Sequence, residues 1–287
     1  MKYSGLIGNP VEHSVSDVMF KLFADKLGID YTHIKIRVPS KKLLKQTFES
    51  IRILGFSGFN ITLPYKIDSI QYLDKIDSSV LKSGAVNSVK IKTDKYVGYN
   101  TDAEGFIKTC DKLLKPIESC DTVFVFGAGG AARAILMEVI KYTKNIYVFN
   151  RSEQKLLDLR KQYGSKIKEY LLLDDDLIIQ KTKALNPKYF FNATSLGMKP
   201  DIKSSPLSSK VYKHISNKAY FLDAVFNPFE TQFIKSAKKL GAKTAPGIYW
   251  MIYQGITAFN IWNDVDLQLS DKEIKNIAKE LIKRLDK

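Results

Sequence analysis

The chain has 287 residues, long for one hydrophobic core and sufficient for two domains. With 45% hydrophobic and 26% charged residues it has an ordinary globular composition, and no stretch reaches the ~18–20 apolar residues of a membrane span. Its net charge is +15, but only six of the 45 basic residues are Arg and the lysines are scattered, so the charge reads as a solvated surface and not a nucleic-acid-binding face.

Lys2 to Ile7 reads as a strand; the apolar run is too short for a signal peptide and is broken at Asn9-Pro10. Ser14 or Ser16 is the expected cap of a helix through Met19, Phe20, Phe23 and Leu27. Tyr31 to Val38 alternates as a strand, and Ser40 caps a helix through Leu44, Phe48 and Ile51. Gly58 to Thr62 is a further strand stopped by Pro64, and Ala85–Ile91 with Tyr96–Tyr99 form a pair around Thr93-Asp94. Asp102 to Leu114 is a connecting helix. Cys110 and Cys120 lack a C-x-x-C spacing or a His neighbour; they read as reduced thiols of a cytoplasmic protein, with no metal site. From Asp121 a βαβ pattern follows, with strands at Thr122–Phe126, Asn145–Phe149, Tyr189–Asn192 and Ala219–Leu222. Ser152 caps a helix through Leu156 and Leu159, Lys199–Ser209 is a loop, and two helices close the chain after Pro246.

The strongest local signal is Gly127-Ala128-Gly129-Gly130-Ala131-Ala132, a G-x-G-x-x-A turn between a β-branched and aromatic strand and an alanine-rich helix. Such a turn holds a dinucleotide: Gly127 turns tightly, Gly129 admits the pyrophosphate, Ala132 lets helix pack on strand, and the helix N-terminus supplies donors. Beyond the next strand stands Asn150-Arg151-Ser152, with no carboxylate to accept a ribose 2′-hydroxyl. Arg151, helped by Lys155, can instead clasp a 2′-phosphate, which points to NADP.

Four polar strings sit at strand ends of the first domain: Gly8–Ser16, Asn60–Lys66, Gly84–Ser88 and Gly98–Asp102. Ligands of open α/β sheets bind at such ends. Singly each has a mundane reading as a cap, a turn or a solvated lysine. Together they offer hydroxyls, an ammonium, an amide and a carboxylate, a set suited to a small polyhydroxylated anion.

These strings resemble the shikimate dehydrogenase family over nearly the whole chain. Gly8–Ser16 matches its G-x-P-x-x-H-S-x-S, Asn60–Lys66 its N-[VI]-T-x-P-x-K, Gly84–Ser88 its G-A-V-N-[TS] and Asn100–Asp102 its N-T-D. Gly127–Ala134, Asn150–Ser152, Asn192–Met198, Asp223–Thr231 and Gly247–Gln254 match the motifs of the second half. The resemblance implies an α/β fold with an open βα substrate domain, 1–102 joined by helices 248–287, a Rossmann-type doubly wound NADP-binding domain, 103–247, and a cleft between them. It implies NADPH-dependent reduction of 3-dehydroshikimate to shikimate by a monomer or homodimer, without nucleic acid or membrane. Lys66 and Asp102 would be the catalytic pair; Ser14, Ser16, Thr62, Asn87, Phe226 and Gln254 would hold the substrate. Gly127, Ala128, Gly129, Gly130, Ala131, Asn150, Arg151, Lys155, Thr194, Ala224 and Gly247 would contact the cofactor. Two departures bear on substrate affinity: Asp17 stands where the family has Pro, followed by Met19-Phe20 for a common His-Asn pair, and Phe226 replaces a Tyr. The alternatives are a quinate/shikimate dehydrogenase using NAD, a non-catalytic relative, or a nucleic-acid binder.

Overall fold

The computed structural model describes residues 1–285, which divide into two compact units: residues 1–105 together with the chain from 252 onward, and residues 106–251. In the first unit the order is β1 (Lys2–Gly8), α1 (Ser16–Lys26), β2 (Tyr31–Arg37), α2 (Leu44–Ile53), β3 (Gly58–Ile61), β4 (Lys75–Ile76), α3 (Ser78–Ser83), β5 (Ser88–Lys92) and β6 (Lys95–Tyr99). The chain leaves through α4 (Asp102–Leu113) and returns through α10 (Gly247–Asn263) to α11 (Asp271–Leu285). The six strands lie in the order β2-β1-β3-β5-β6-β4, with β5 antiparallel to both neighbours.

Strand alternation gives this sheet two covered faces. Ile7, Phe59 and Ile61 point into a core with Leu44, Phe48 and Ile51 of α2. On the opposite face Phe20 and Phe23 of α1 pack against Phe259 and Trp262 of α10. Two expectations are corrected here. Neither Ser14 nor Ser16 is the N-cap of α1; Val15 holds that position without a side-chain bond, because the two serines are engaged with each other. The strand expected from Ala85 starts at Ser88, because Gly84 ends α3 in the left-handed region and residues 85–87 are tied to neighbouring loops. The turn at Thr93-Asp94 has both residues at positive φ, as a tight two-residue hairpin requires.

The second unit runs β7 (Val123–Phe126), α5 (Gly130–Val139), β8 (Ile146–Asn150), α6 (Glu153–Tyr163), β9 (Glu169–Leu172), α7 (Asp175–Leu185), β10 (Tyr189–Asn192), α8 (Ser209–Tyr212), β11 (Tyr220–Asp223), α9 (Gln232–Lys239) and β12 (Lys243–Ala245). Its sheet order is β12-β11-β10-β7-β8-β9, and every pairing is parallel. This is the doubly wound order in which the chain reverses direction of travel between its first and fourth strands, here β7 and β10. Both faces are covered: Phe124, Phe149, Phe190 and Phe221 pack with α8 and α9, and Phe191 on the other face meets Phe106. Among the described residues no helix is long and apolar enough to cross a membrane.

Candidate active site

In the first unit the polar strings converge on one edge of the sheet. Ser14 and Ser16 follow β1, Thr62 and Lys66 follow β3, and Thr101 and Asp102 follow β6. Asn87 precedes β5, which runs the other way and so begins at the same edge.

Lys66 is held by its neighbours' backbone. Buried Tyr65 donates its hydroxyl to the Val38 carbonyl at 2.7 Å, and the Lys66 carbonyl accepts from Val86 N–H at 2.8 Å. The Lys66 ammonium donates to Asp102 Oδ2. Their side chains are 16% and 11% exposed, so the pair is largely withdrawn from water yet reachable. Asp102 is the first residue of α4 and not its cap; Asn100 Oδ1 accepts from Ala103 N–H at 3.4 Å. Asp102 Oδ1 accepts from Asn87 Nδ2 at 2.8 Å. The orientation of that amide is fixed by the Thr101 backbone N–H, which donates to Asn87 Oδ1 at 2.7 Å. Gln254 joins from α10, its Oε1 accepting from Asn87 Nδ2 and from the Thr101 hydroxyl, each at 3.2 Å. Its approach depends on Gly105, where a Cβ would stand 2.7 Å from both the backbone nitrogen and the Cβ of Gln254.

The two serines form a second group. Ser14 Oγ donates to Ser16 Oγ at 3.0 Å and accepts from Ser16 N–H at 3.2 Å. Thr62 packs against Gly8 at the end of β1. Asp17 is offset by a cation: its carboxylate is 3.6 Å from Lys35 Nζ, and that ammonium also donates to the Ser14 carbonyl at 3.1 Å. Behind the serines lies buried His33, with Nε2 3.1 Å from Ser16 Oγ and Nδ1 2.7 Å from Ser4 Oγ. Burial, with the Lys35 charge adding, pushes this imidazole down to about 3. His33, Thr101 and Gly105 carry no role in the sequence reading. The NTD string contained Thr101, but His33 meets the serines only through the fold.

In the second unit Gly127, Ala128, Gly129, Gly130 and Ala131 form the turn from β7 into α5. Gly127 has φ +116°, and a Cβ there would stand 2.8 Å from the Ala193 carbonyl oxygen, so the turn and the chain after β10 meet at the switch point of the sheet. Gly129, by contrast, has nothing within 4 Å of where its Cβ would be. That open space lies at the start of α5, whose first N–H groups have no partner within the helix. The space and donors fit a pyrophosphate. Asn150 ends β8 and donates to the Ser152 carbonyl at 3.0 Å. Arg151 and Lys155 are both exposed just beyond it, flanking Ser152, whose side chain caps α6. No carboxylate stands among residues 150–152, so this strand end offers cations to a phosphate.

Thr194 and Ala224 follow β10 and β11, where a buried network fixes both loops. Asp223 accepts from Asn192 Nδ2 and Val225 N–H, each at 2.9 Å, and from the Thr231 hydroxyl at 2.5 Å. Burial pushes the Asp223 carboxyl up to about 7, while those donors pull it down. Gly247 packs on the same segment; a Cβ there would be 2.5 Å from the Val225 carbonyl oxygen. Phe226 is half-buried in that loop, in the second unit.

A family model described as the shikimate dehydrogenase substrate binding domain matches residues 6–89. The chain is 36% identical to the shikimate dehydrogenase (NADP(+)) of Methanococcus vannielii, covering 96% of each chain. It is 35% identical to that of Bacillus subtilis, covering 91% of each. Among solved structures, a shikimate dehydrogenase in complex with NADP+ superposes with a TM-score of 0.87 at 33% identity, over 100% of this chain and 96% of the other. The Thermus thermophilus enzyme in complex with NADP(H) and shikimate gives 0.82 at 27% identity, over 98% and 100%. At this identity over nearly the full length, the chain belongs to the shikimate dehydrogenase family.

Proposed function

We propose that this chain reduces 3-dehydroshikimate to shikimate with NADPH, reversibly, in the route to chorismate and the aromatic amino acids. The observation that carries the reading is the Lys66–Asp102 pair, withdrawn from water and braced by Asn87, Thr101 and Gln254. Bound NADPH supplies the hydride. The turn from Gly127 to Ala131 would hold its pyrophosphate, and Asn150, Arg151 and Lys155 its adenosine end, with Thr194, Ala224 and Gly247 on the loops beside them.

The protein's own task is one proton and the substrate's orientation. As the ketone oxygen gains charge, the Lys66 ammonium stabilises it and donates a proton to it. Asp102 keeps that ammonium in place and accepts from Asn87 with its other oxygen. Ser14 and Ser16 donate to the substrate carboxylate, while Thr62, Asn87 and Gln254 take its hydroxyls. Lys35 offsets Asp17 beside the serines, so the acid in place of Pro is compatible with anion binding. Phe226 brings an apolar ring in place of a hydroxyl. All the groups in this mechanism belong to one chain, which a monomer and a homodimer would both supply, and we place the enzyme in the cytoplasm.

The test is NADPH consumption on adding 3-dehydroshikimate, with shikimate and NADP+ for the reverse direction and quinate and NAD+ as competitors. Shikimate with NADP+ is expected to give the largest kcat/KM. Faster turnover of quinate with NAD+ would move the chain to the quinate branch, and no turnover of either acid would overturn the assignment.

A further inference from the structure

The serine pair assigned above to the substrate carboxylate is backed by a buried histidine that the mechanism leaves unused. β1 and β2 run parallel with Ser4 opposite His33, so the two side chains sit together on the face covered by α1 and α10. The imidazole is packed 4.5 Å from the Phe20 ring and stacked on Trp262, and it bridges the buried hydroxyls of Ser4 and Ser16. From Ser16 the chain of contacts continues to Ser14.

Counting hydrogens decides what this bridge does. Each hydroxyl has one hydrogen, and a neutral imidazole has one. If Nδ1 carried it, Ser16 would have to spend its hydroxyl hydrogen on Nε2, and an approaching carboxylate would meet an oxygen lone pair. If Nε2 carries it, the ring donates to Ser16 Oγ and the serine hydrogen is free to turn outward. Both contacts, 2.7 Å to Ser4 and 3.1 Å to Ser16, are of hydrogen-bond length and fit this second arrangement.

We propose that His33 is a positioning residue for substrate binding: it takes the Ser4 hydroxyl hydrogen at Nδ1, donates from Nε2 to Ser16 Oγ, and so leaves the Ser16 hydroxyl hydrogen for the carboxylate. The inference rests on the reading of Ser14 and Ser16 given above. Burial and the Lys35 charge keep the ring neutral throughout the working range, so it acts as a fixed dipole and not as a charge.

His33→Leu keeps the apolar packing and removes both nitrogens. It is expected to raise the KM for shikimate about 10-fold, the effect of one misdirected hydrogen bond, with kcat within about twofold and the KM for NADP+ unchanged. His33→Gln, whose amide can donate toward Ser16, is expected to recover most of the loss. Because His33 acts through Ser16, the Ser16→Ala/His33→Leu double variant should be no worse than Ser16→Ala alone. Nitrogen-15 NMR of the histidine-labelled wild type should show the Nε2–H tautomer at His33, with or without substrate. An Nδ1–H tautomer, an unchanged KM in a folded His33→Leu protein, or additive losses in the double variant would overturn the inference. A wild type that oxidises no shikimate would overturn the reading of the site itself, and the inference with it.

Discussion

An ammonium donating to a carboxylate is common on protein surfaces, where it contributes little. Lys66 and Asp102 differ in their surroundings: both are mostly shielded, and Asp102 is fixed from its other side by an amide whose own orientation a backbone N–H sets. A pair so constrained supports the proposed proton transfer from the lysine. Replacing Lys66 with Ala is expected to lower kcat by ~10²-fold or more while changing the KM for shikimate little. Steady-state kinetics separates the two parameters, and a change confined to KM would reassign Lys66 to binding. Residues of this kind were legible in the sequence because their types are chemically distinctive and their strings fall at strand ends. His33 was not: nothing in the alternating strand Tyr31–Arg37 sets it apart, and its partners come from β1 and the start of α1.

Two glycines show how whole elements are placed for the site. In the strand–turn–helix of β7 and α5, the missing side chain of Gly129 leaves open space and nothing else. Gly129→Ala is therefore expected to leave thermal unfolding almost unchanged while weakening NADP+ binding by about 10-fold or more, since the methyl takes the room a phosphate needs. Calorimetric titration beside a melting curve checks both halves, and an unchanged affinity would mean that the turn does not hold the pyrophosphate. Gly105 is the opposite case. Its Cβ would press into the backbone of α10 beside Gln254, so Gly105→Ala is expected to cost about 1–3 kcal/mol of stability and to raise the KM for shikimate as Gln254 moves. Denaturant unfolding and kinetics on the same variant test this. The G-x-G-x-x-A turn announced its element because spacing, strand and helix all agreed. Weaker elements did not: β4 has two exposed residues, and β9 is an only partly buried edge strand. Their signals are too short or too polar for periodicity to register. The misplaced cap of α1 has a related cause, since Ser14 and Ser16 look like caps in sequence but are occupied with each other and with His33.

At the scale of the whole chain, two buried titratable groups pull stability in opposite directions over one pH window. His33, in the first unit, falls from an ordinary 6.5 to about 3 on folding. The unfolded chain therefore takes up a proton that the folded one refuses, and this contribution is full above about pH 6.5 and lost as pH falls. Asp223, in the second unit, rises from 3.8 to about 7. Here the folded chain holds the extra proton, so the contribution is full below about pH 4 and lost as pH rises through 7. The groups with depressed values, such as Glu273 at about 2, are carboxylates that matter only below this window. Between pH 7 and pH 5 the His33 effect costs about 2 kcal/mol, and the Asp223 effect returns a similar amount. The wild type should consequently show a flat profile there. His33→Leu removes the first effect alone. The Ser4 and Ser16 hydroxyls, having lost the imidazole, lower stability equally at every pH and drop out of the comparison. Relative to wild type, the variant should gain about 2 kcal/mol on going from pH 7 to pH 5, measured by urea unfolding followed at Trp262, which stacks on the imidazole. A difference that stays constant with pH would mean that His33 already charges within the folded chain.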